Sequence, residues 1–327
     1  MLNRRHFTAA SAALLATGPL WAQAQWPTRP VRIVVPFGAG GIADLTARTV
    51  GEALSHRLGQ SVVIENRPGA GGVVAGETVA KAEPDGHTLL LMSNGTAVSA
   101  GLFSKLPFDA QKDFEPVSLI GLFDLAVIVP ANSRYQSLQD LLADAKARPG
   151  KLNIATINVG STQNLSAELF KTTAGIQAQV VPFNGTPAVI TALRGGEVDA
   201  AIEILGPVKT QITSGALRAL AVMGEKHAPA LPKVPKVPTV AESGGALAKF
   251  NVSSWNALAA PAKTPAAVVQ RLSHELATVL ADAQVRAKLE KIDVEAKAST
   301  PQQLGALLGS EIKRWSEVIA RAGIPRQ

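Results

Sequence analysis

The chain contains no cysteine, which excludes disulfides, thiolate-held metals and cysteine nucleophiles. Histidine is sparse and dispersed, at positions 6, 56, 87, 227 and 274, and no H-E-x-x-H or G-x-S-x-G motif occurs. The common zinc-protease and serine-hydrolase signatures are therefore missing. Aromatic residues make up only 4%, which argues against a nucleic-acid surface built on base stacking. The formal net charge is +7, but Lys and Arg are spread along the chain rather than clustered. A spread of this kind reads as a solvated basic surface, with a mild pull on anionic ligands as the functional alternative. These absences argue against a thiolate-held metal and a base-stacking nucleic-acid surface, and no metal, cofactor or nucleic-acid partner is expected.

With 327 residues and 46% apolar content, the chain is long enough for two ordinary domains and a sizeable core. Its first residues, MLNRRHFTAASAALLATGPLWAQAQ, read as an export signal over residues 1–24. They combine a basic start, a short apolar run and the small-x-small site Ala22-Gln23-Ala24. Arg4-Arg5-His6-Phe7 fits the twin-arginine form R-R-x-F, with an ordinary secretory signal as the alternative. Removing residues 1–24 takes away Arg4 and Arg5, so the mature charge is 7 − 2 = +5. No later stretch is long and apolar enough to span a bilayer, so a soluble periplasmic protein is expected.

Short apolar runs then alternate with helical patterns: VRIVVPF, ADLTARTVGEALSHRLG, SVVIENRP and HTLLLMS, and later LAVIVP, KLNIAT, QAQVVPF and VDAAIEI with helices between them. Continuous apolar strands separated by amphipathic helices predict an α/β fold with a parallel sheet covered on both faces. The Pro-rich HAPALPKVPKVPTVAESGG interrupts the pattern before two C-terminal helices. Two α/β halves with a C-terminal return suit a ligand cleft between domains, at the carboxyl ends of strands and beside helix starts.

Four turns fall at such places: PFGAGGIAD, MSNGTAVSAG, ATINVGSTQN and VPFNGTPA. Each offers backbone N–H groups at a helix start and small residues that allow an anion to approach. The candidate ligand-binding residues are Phe37, Gly38, Gly40, Gly41, Ala43 and Asp44, then Ser93, Asn94 and Thr96. From the second half they are Asn158, Gly160, Ser161, Thr162, Phe183, Asn184, Gly185, Thr186 and Glu203. Asp44 either caps its helix or accepts from a ligand or water donor, since a bare carboxylate beside an anion would repel it. Glu203 either faces the cleft or sits as a surface acid at a strand end. Gly38, Gly40 and Ala43 also fit the dinucleotide pattern G-x-G-x-x-G/A, with Glu65 ending the next strand. Glu65 to Gly72 mimics a phosphate loop but lacks the Lys-Ser/Thr of a Walker motif and reads as a structural turn.

Taken in order, several segments form a set: WPTRPVRIVVPFGAGGIADLTAR, VVIENRPGAGG, VAKAEPDGHTLLL, KLPFDAQKDFEPVSLIG, VPFNGTPAVITALRGGEVD, VPTVAESG, APAKTP and RWSEVIARAGI. Over essentially the whole mature chain this set resembles the Bug (TctC-like) family, the periplasmic solute receptors of tripartite tricarboxylate transporters. The resemblance implies the type II periplasmic-binding-protein fold. It implies one domain of residues 26–124 plus 224–327 and a second of 125–223. It also implies capture of a small carboxylate, in which the loop from Phe37 to Asp44 grips the carboxylate and the other three turns approach from other sides. Many members carry Pro-Pro-Gly-Gly-Pro-Thr-Asp where this chain has Gly38-Ala39-Gly40-Gly41-Ile42-Ala43-Asp44. Gln163-Asn164-Leu165 replaces a usual Ser-His-Leu, and Glu203 stands where members often have aspartate or a neutral residue.

The leading expectation is a monomeric, non-enzymatic receptor that closes on a small carboxylate and docks on a membrane permease. The alternatives are a periplasmic NAD(P)-dependent oxidoreductase and a ligand-binding sensor component.

Overall fold

The computed structural model describes residues 26–225 and 236–327; the export-signal reading of residues 1–24 lies outside the described residues. No helix among the described residues is long and apolar enough to cross a membrane.

The chain opens with β1 (Val31–Val35), a fully apolar strand but for Arg32. Next comes α1 (Ile42–Leu58), whose buried Ala43, Ala47, Val50, Leu54 and Leu58 recur at helical spacing. Gly59 ends it in the left-handed conformation, where glycine bears no Cβ penalty. After β2 (Val62–Asn66), α2 (Val73–Ala80), β3 (Thr88–Ser93) and α3 (Asn94–Leu102), a 17-residue strand follows, β4 (Phe114–Pro130). β1 pairs in parallel with both β2 and β3.

The same alternation then repeats with α4 (Leu138–Ala147), β5 (Leu152–Ile157), α5 (Thr162–Ala174), β6 (Ala178–Phe183), α6 (Thr186–Gly195), β7 (Ala200–Ile204), α7 (Leu205–Thr213) and β8 (Leu217–Val222). β5 lies parallel between β6 and β7. The chain closes with β9 (Ser253–Pro261), α8 (Ala266–Ala281), α9 (Ala283–Glu290), the short β10 (Glu295–Ala296) and α10 (Pro301–Arg321).

The strand order is β2-β1-β3-β9-β4-β7-β5-β6, with β8 and β10 also pairing to β4. This corrects the expectation of a parallel sheet. The outer strands on each side are parallel, whereas β9 runs antiparallel to β3 and β4, and β4 runs antiparallel to β7 and β8. The long β4 changes neighbours along its length. Phe114 to Asp124 face β9, and Leu125 to Pro130 face β7 and β8. One strand thus carries the chain from the first α/β unit into the second, with register shifts at Pro116/Ser118 and Leu119/Gly121. Gly121 permits the crossing: a Cβ there would lie 2.6 Å from a Val294 methyl and 2.7 Å from the Glu295 carbonyl oxygen.

Candidate functional site

The four turns occupy the carboxyl ends of β1, β3, β5 and β6, each at the start of the next helix. Direct contacts join them. The Phe37 ring lies against Gly95, where an added Cβ would be 3.6 Å from its Cζ. Asn94, fully buried at the start of α3, donates from Nδ2 to Thr162 Oγ1 of α5 at 3.2 Å. Gly160 packs on Leu102 of α3, and the Asn158 N–H bonds the Phe183 carbonyl oxygen at 3.0 Å. Gln163 and Thr186 meet on Glu203. All four turns therefore belong to one cluster.

Their helix starts are not equivalent. Ser93 caps α3 by accepting from the Gly95 N–H, and Thr96 Oγ1 accepts from the Ser93 N–H. Ser161 caps α5: its Oγ accepts from the Asn164 N–H at 3.1 Å and donates to the Ile157 carbonyl at 3.1 Å. These hydroxyls serve their own helices first. The N-caps of α1 and α6 are Gly41 and Gly185, and neither helix has a side-chain cap. First-turn N–H groups have no intrahelical acceptor, so an uncapped start presents them, with the positive end of the dipole, to whatever approaches. In α6, Pro187 removes one such donor, and Gly185 adopts φ 89°.

Asp44 lies beside the α1 start and is 2% exposed. Its Oδ2 accepts from the Gly40 N–H at 2.9 Å and from Arg48 Nε at 3.0 Å, and its Oδ1 accepts from Asn66 Nδ2 at 2.9 Å. Burial pushes its pKa up, but the hydrogen bonds from Arg48, Gly40 and Asn66 and the Arg48 charge outweigh that and hold it below the usual carboxylate value. Asp44 is thus a charge-neutralised clasp that folds the loop over itself. Asn66 extends the clasp to the Phe37 carbonyl at 3.0 Å. The Gly40 N–H is consumed internally, and the positive φ of 82° at Gly40 is what turns it toward Asp44. Gly38 and Gly40 are exposed, and Gly41 is half-buried at a φ of −79°.

Glu203 is no surface acid. It is 0% exposed, and Oε2 accepts from Gln163 Nε2 at 3.3 Å, Thr186 Oγ1 at 3.2 Å and the Ile204 N–H at 3.2 Å. Burial pushes its pKa up, and these three donors draw it back only in part, leaving it at about 7. Asn158 and Asn184 are exposed.

Three residues joined to this cluster gave no local signal in the sequence. Trp315 of α10 donates to Asn94 Oδ1 at 2.9 Å, and Ser254 of β9 lies 3.4 Å from Thr162 Oγ1. Asn256, opposite Ser93 in the β3–β9 ladder, is 1% exposed, and its amide nitrogen and oxygen have no partner among the described residues. Each comes from more than 90 positions away in the chain, so no motif spacing could find it.

Glu65, the acid that a dinucleotide site would offer a ribose, pairs instead with Arg32 at 2.8 Å and Arg67 at 2.5 Å. Of the segment read as a structural turn, Glu65 and Asn66 end β2 and Ala70–Gly72 form a single 3-10 turn, where a Cβ at Gly71 would strike Ser99 and Phe103. Two hollows of about 570 and 580 Å³ lie apart from the four turns. The second is lined by Asp124, Glu225, Glu290, Asp293 and Glu295 against Arg286 and Lys297, the wrong balance for an anion.

Residues 46–324 match the family described as "Tripartite tricarboxylate transporter family receptor". Protein BugT of Bordetella pertussis is 33% identical over 330 residues, covering 98% of this chain and 99% of its own. The structure of the periplasmic binding protein BugD is similar at a TM-score of 0.82 and 31% identity, over 92% of this chain and 100% of that one. An R. palustris protein solved with adipate is similar at a TM-score of 0.83 and 34% identity, over 92% of this chain and 99% of the other. The α/β fold is that of periplasmic binding proteins of this type.

Proposed function

Because the chain belongs to the tripartite tricarboxylate transporter receptor family, the Bug or TctC type, we propose that it is an extracytoplasmic receptor for a small carboxylate. Residues 26–124 with 224–327 form one lobe and 125–223 the other. The lobes close on the ligand, and the closed form delivers it to the membrane permease of a tripartite transporter. The protein acts as a monomer in the periplasm after loss of its export signal, and performs no catalysis.

The observation that carries this reading is the uncapped start of α1 beside a carboxylate whose charge Arg48 cancels. A ligand carboxylate at this place meets backbone donors and the helix dipole without facing a net negative charge. The adipate-bound neighbour supports the same ligand class. Closure follows from the ligand's contacts with both lobes, which are complete only in the closed form.

Thermal-shift screening against small carboxylates tests the proposal. A true ligand at about 100 times its dissociation constant adds about 2.7 kcal/mol of stability. Stabilisation by a sugar, a metal ion or NAD(P), with none by any carboxylate, overturns it.

A further inference from the structure

The two acids of the turn cluster are built in opposite ways. Asp44 has both oxygens bonded and a guanidinium beside it. Glu203 has three donors on Oε2, while Oε1 is buried and has no partner among the described residues. The partners that surround it, the amide of Gln163 from α5, the hydroxyl of Thr186 from α6 and the N–H of Ile204 at its own strand end, are all neutral. On the strand beside it, Glu203 faces Ala126 of β4, also neutral.

This asymmetry gives Oε1 a definite chemistry. Three donors occupy the lone pairs of Oε2, so Oε2 stays an acceptor whichever way the group is ionised. Any proton on the carboxyl therefore resides on Oε1. Ionised, Oε1 is an acceptor that lacks a donor; protonated, it is a donor that lacks an acceptor. A residue needed only to tie Gln163 to Thr186 would do so as glutamine, without the cost of a buried charge. An acid at this place, with one oxygen fully bonded and the other not, points to a group on the ligand.

We propose that Glu203 sets the specificity of the far end of the cleft. With the ligand carboxylate at the α1 start, Oε1 accepts a hydrogen bond from the ligand's tail. The receptor thereby selects a monocarboxylate carrying an amine or hydroxyl at its other end and rejects a second carboxylate. This assignment rests on the carboxylate-receptor reading above. A tail amine supplies the missing donor and a countercharge, whereas a tail carboxylate adds like charge in a dry site. Because Glu203 titrates near 7, acidification places a proton on Oε1 and turns the acceptor into a donor. Discrimination against the second carboxylate then relaxes.

Calorimetric binding of length-matched pairs tests this, for example γ-aminobutyrate with succinate and the longer ω-amino acids with their dicarboxylate counterparts, at about pH 6 and pH 8. In the unaltered protein the best-fitting pair should favour the amino member roughly tenfold or more at the higher pH, with a smaller ratio at the lower. Glu203→Gln keeps an acceptor for Gln163, Thr186 and Ile204 and presents an N–H donor where Oε1 stood. It should favour the dicarboxylate at both pH values. A dicarboxylate preference in the unaltered protein at the higher pH, or an unchanged ratio in Glu203→Gln, overturns the assignment alone. The pH series on the unaltered protein decides the matter even if the variant folds poorly. Failure of every carboxylate to bind removes the receptor reading and this assignment together.

Discussion

At the scale of single residues, two carboxylates of opposite design belong to the candidate site. Asp44 is held ionised by Arg48, Gly40 and Asn66, and its work is to shape a loop. Glu203 is buried without a cation, which raises it from an ordinary 4.5 to about 7. Over that window the folded protein keeps a proton that the unfolded chain has already released. The folded state therefore binds more protons, and stability falls as pH rises from 4.5 toward 7. Above that window the full cost is present, on the order of 3 kcal/mol. Urea denaturation of the unaltered protein and of Glu203→Gln should show a stability difference that grows in favour of the variant across this range. A pH-independent difference would mean that Glu203 does not titrate there. The sequence placed Glu203 near a strand end but left its direction open, because burial depends on what α5 and α6 bring over it.

At the scale of elements, the four helix starts at the turns divide into two that are capped and two that are not. Ser93 and Ser161 satisfy α3 and α5, whereas α1 and α6 begin at glycines without side-chain caps. The Gly- and Ser/Thr-containing turns were legible in the sequence, but which of them a side chain caps was not, and neither was the helix α3. Its NGTAVSAGL composition is rich in turn formers, and it is helical because the Ser93–Thr96 capping box starts it and nearly every residue is buried. The first half of β4 was hidden as well, because Pro116 and Gly121 interrupt its apolar pattern where the ladder shifts register. At the uncapped α1 start, Gly41 has φ −79° and ψ 171°, and an added Cβ meets only the Gly38 carbonyl oxygen, at 3.8 Å. Gly41→Val should thus leave folding within about 0.5 kcal/mol of the original. Carboxylate affinity should drop roughly tenfold or more, because the side chain fills the approach to the helix start. Undiminished affinity in the folded variant would remove this loop as the grip.

At the scale of the whole molecule, the C-terminal helix ties the site together. Trp315 is fully buried and donates both to Asn94 Oδ1 and to Glu311 of its own helix. Asn94 in turn bonds Thr162, so a single chain of contacts runs from α10 through α3 to α5. Replacing Trp315 by phenylalanine keeps most of the apolar contact but leaves the buried Asn94 oxygen without its donor. The expected loss is about 2 kcal/mol in urea denaturation. A loss below about 0.5 kcal/mol would show that the Asn94–Trp315 bond contributes little to holding α10 in place.

The sequence by itself determined the α/β class, the family and the four turns where helix starts meet strand ends. These rest on local periodicity, on turn chemistry and on segments readable in order along the chain. Tertiary structure alone decided which acid is neutralised and which is stranded, which helix starts remain open, and that β4 and β9 run against their neighbours. The physical reason is that charge state, burial and strand direction depend on groups distant in the chain. Arg48 lies one helical turn from Asp44, but Asn66 is 22 residues away, and Gln163 reaches Glu203 across 40 residues. Trp315 reaches Asn94 across 221.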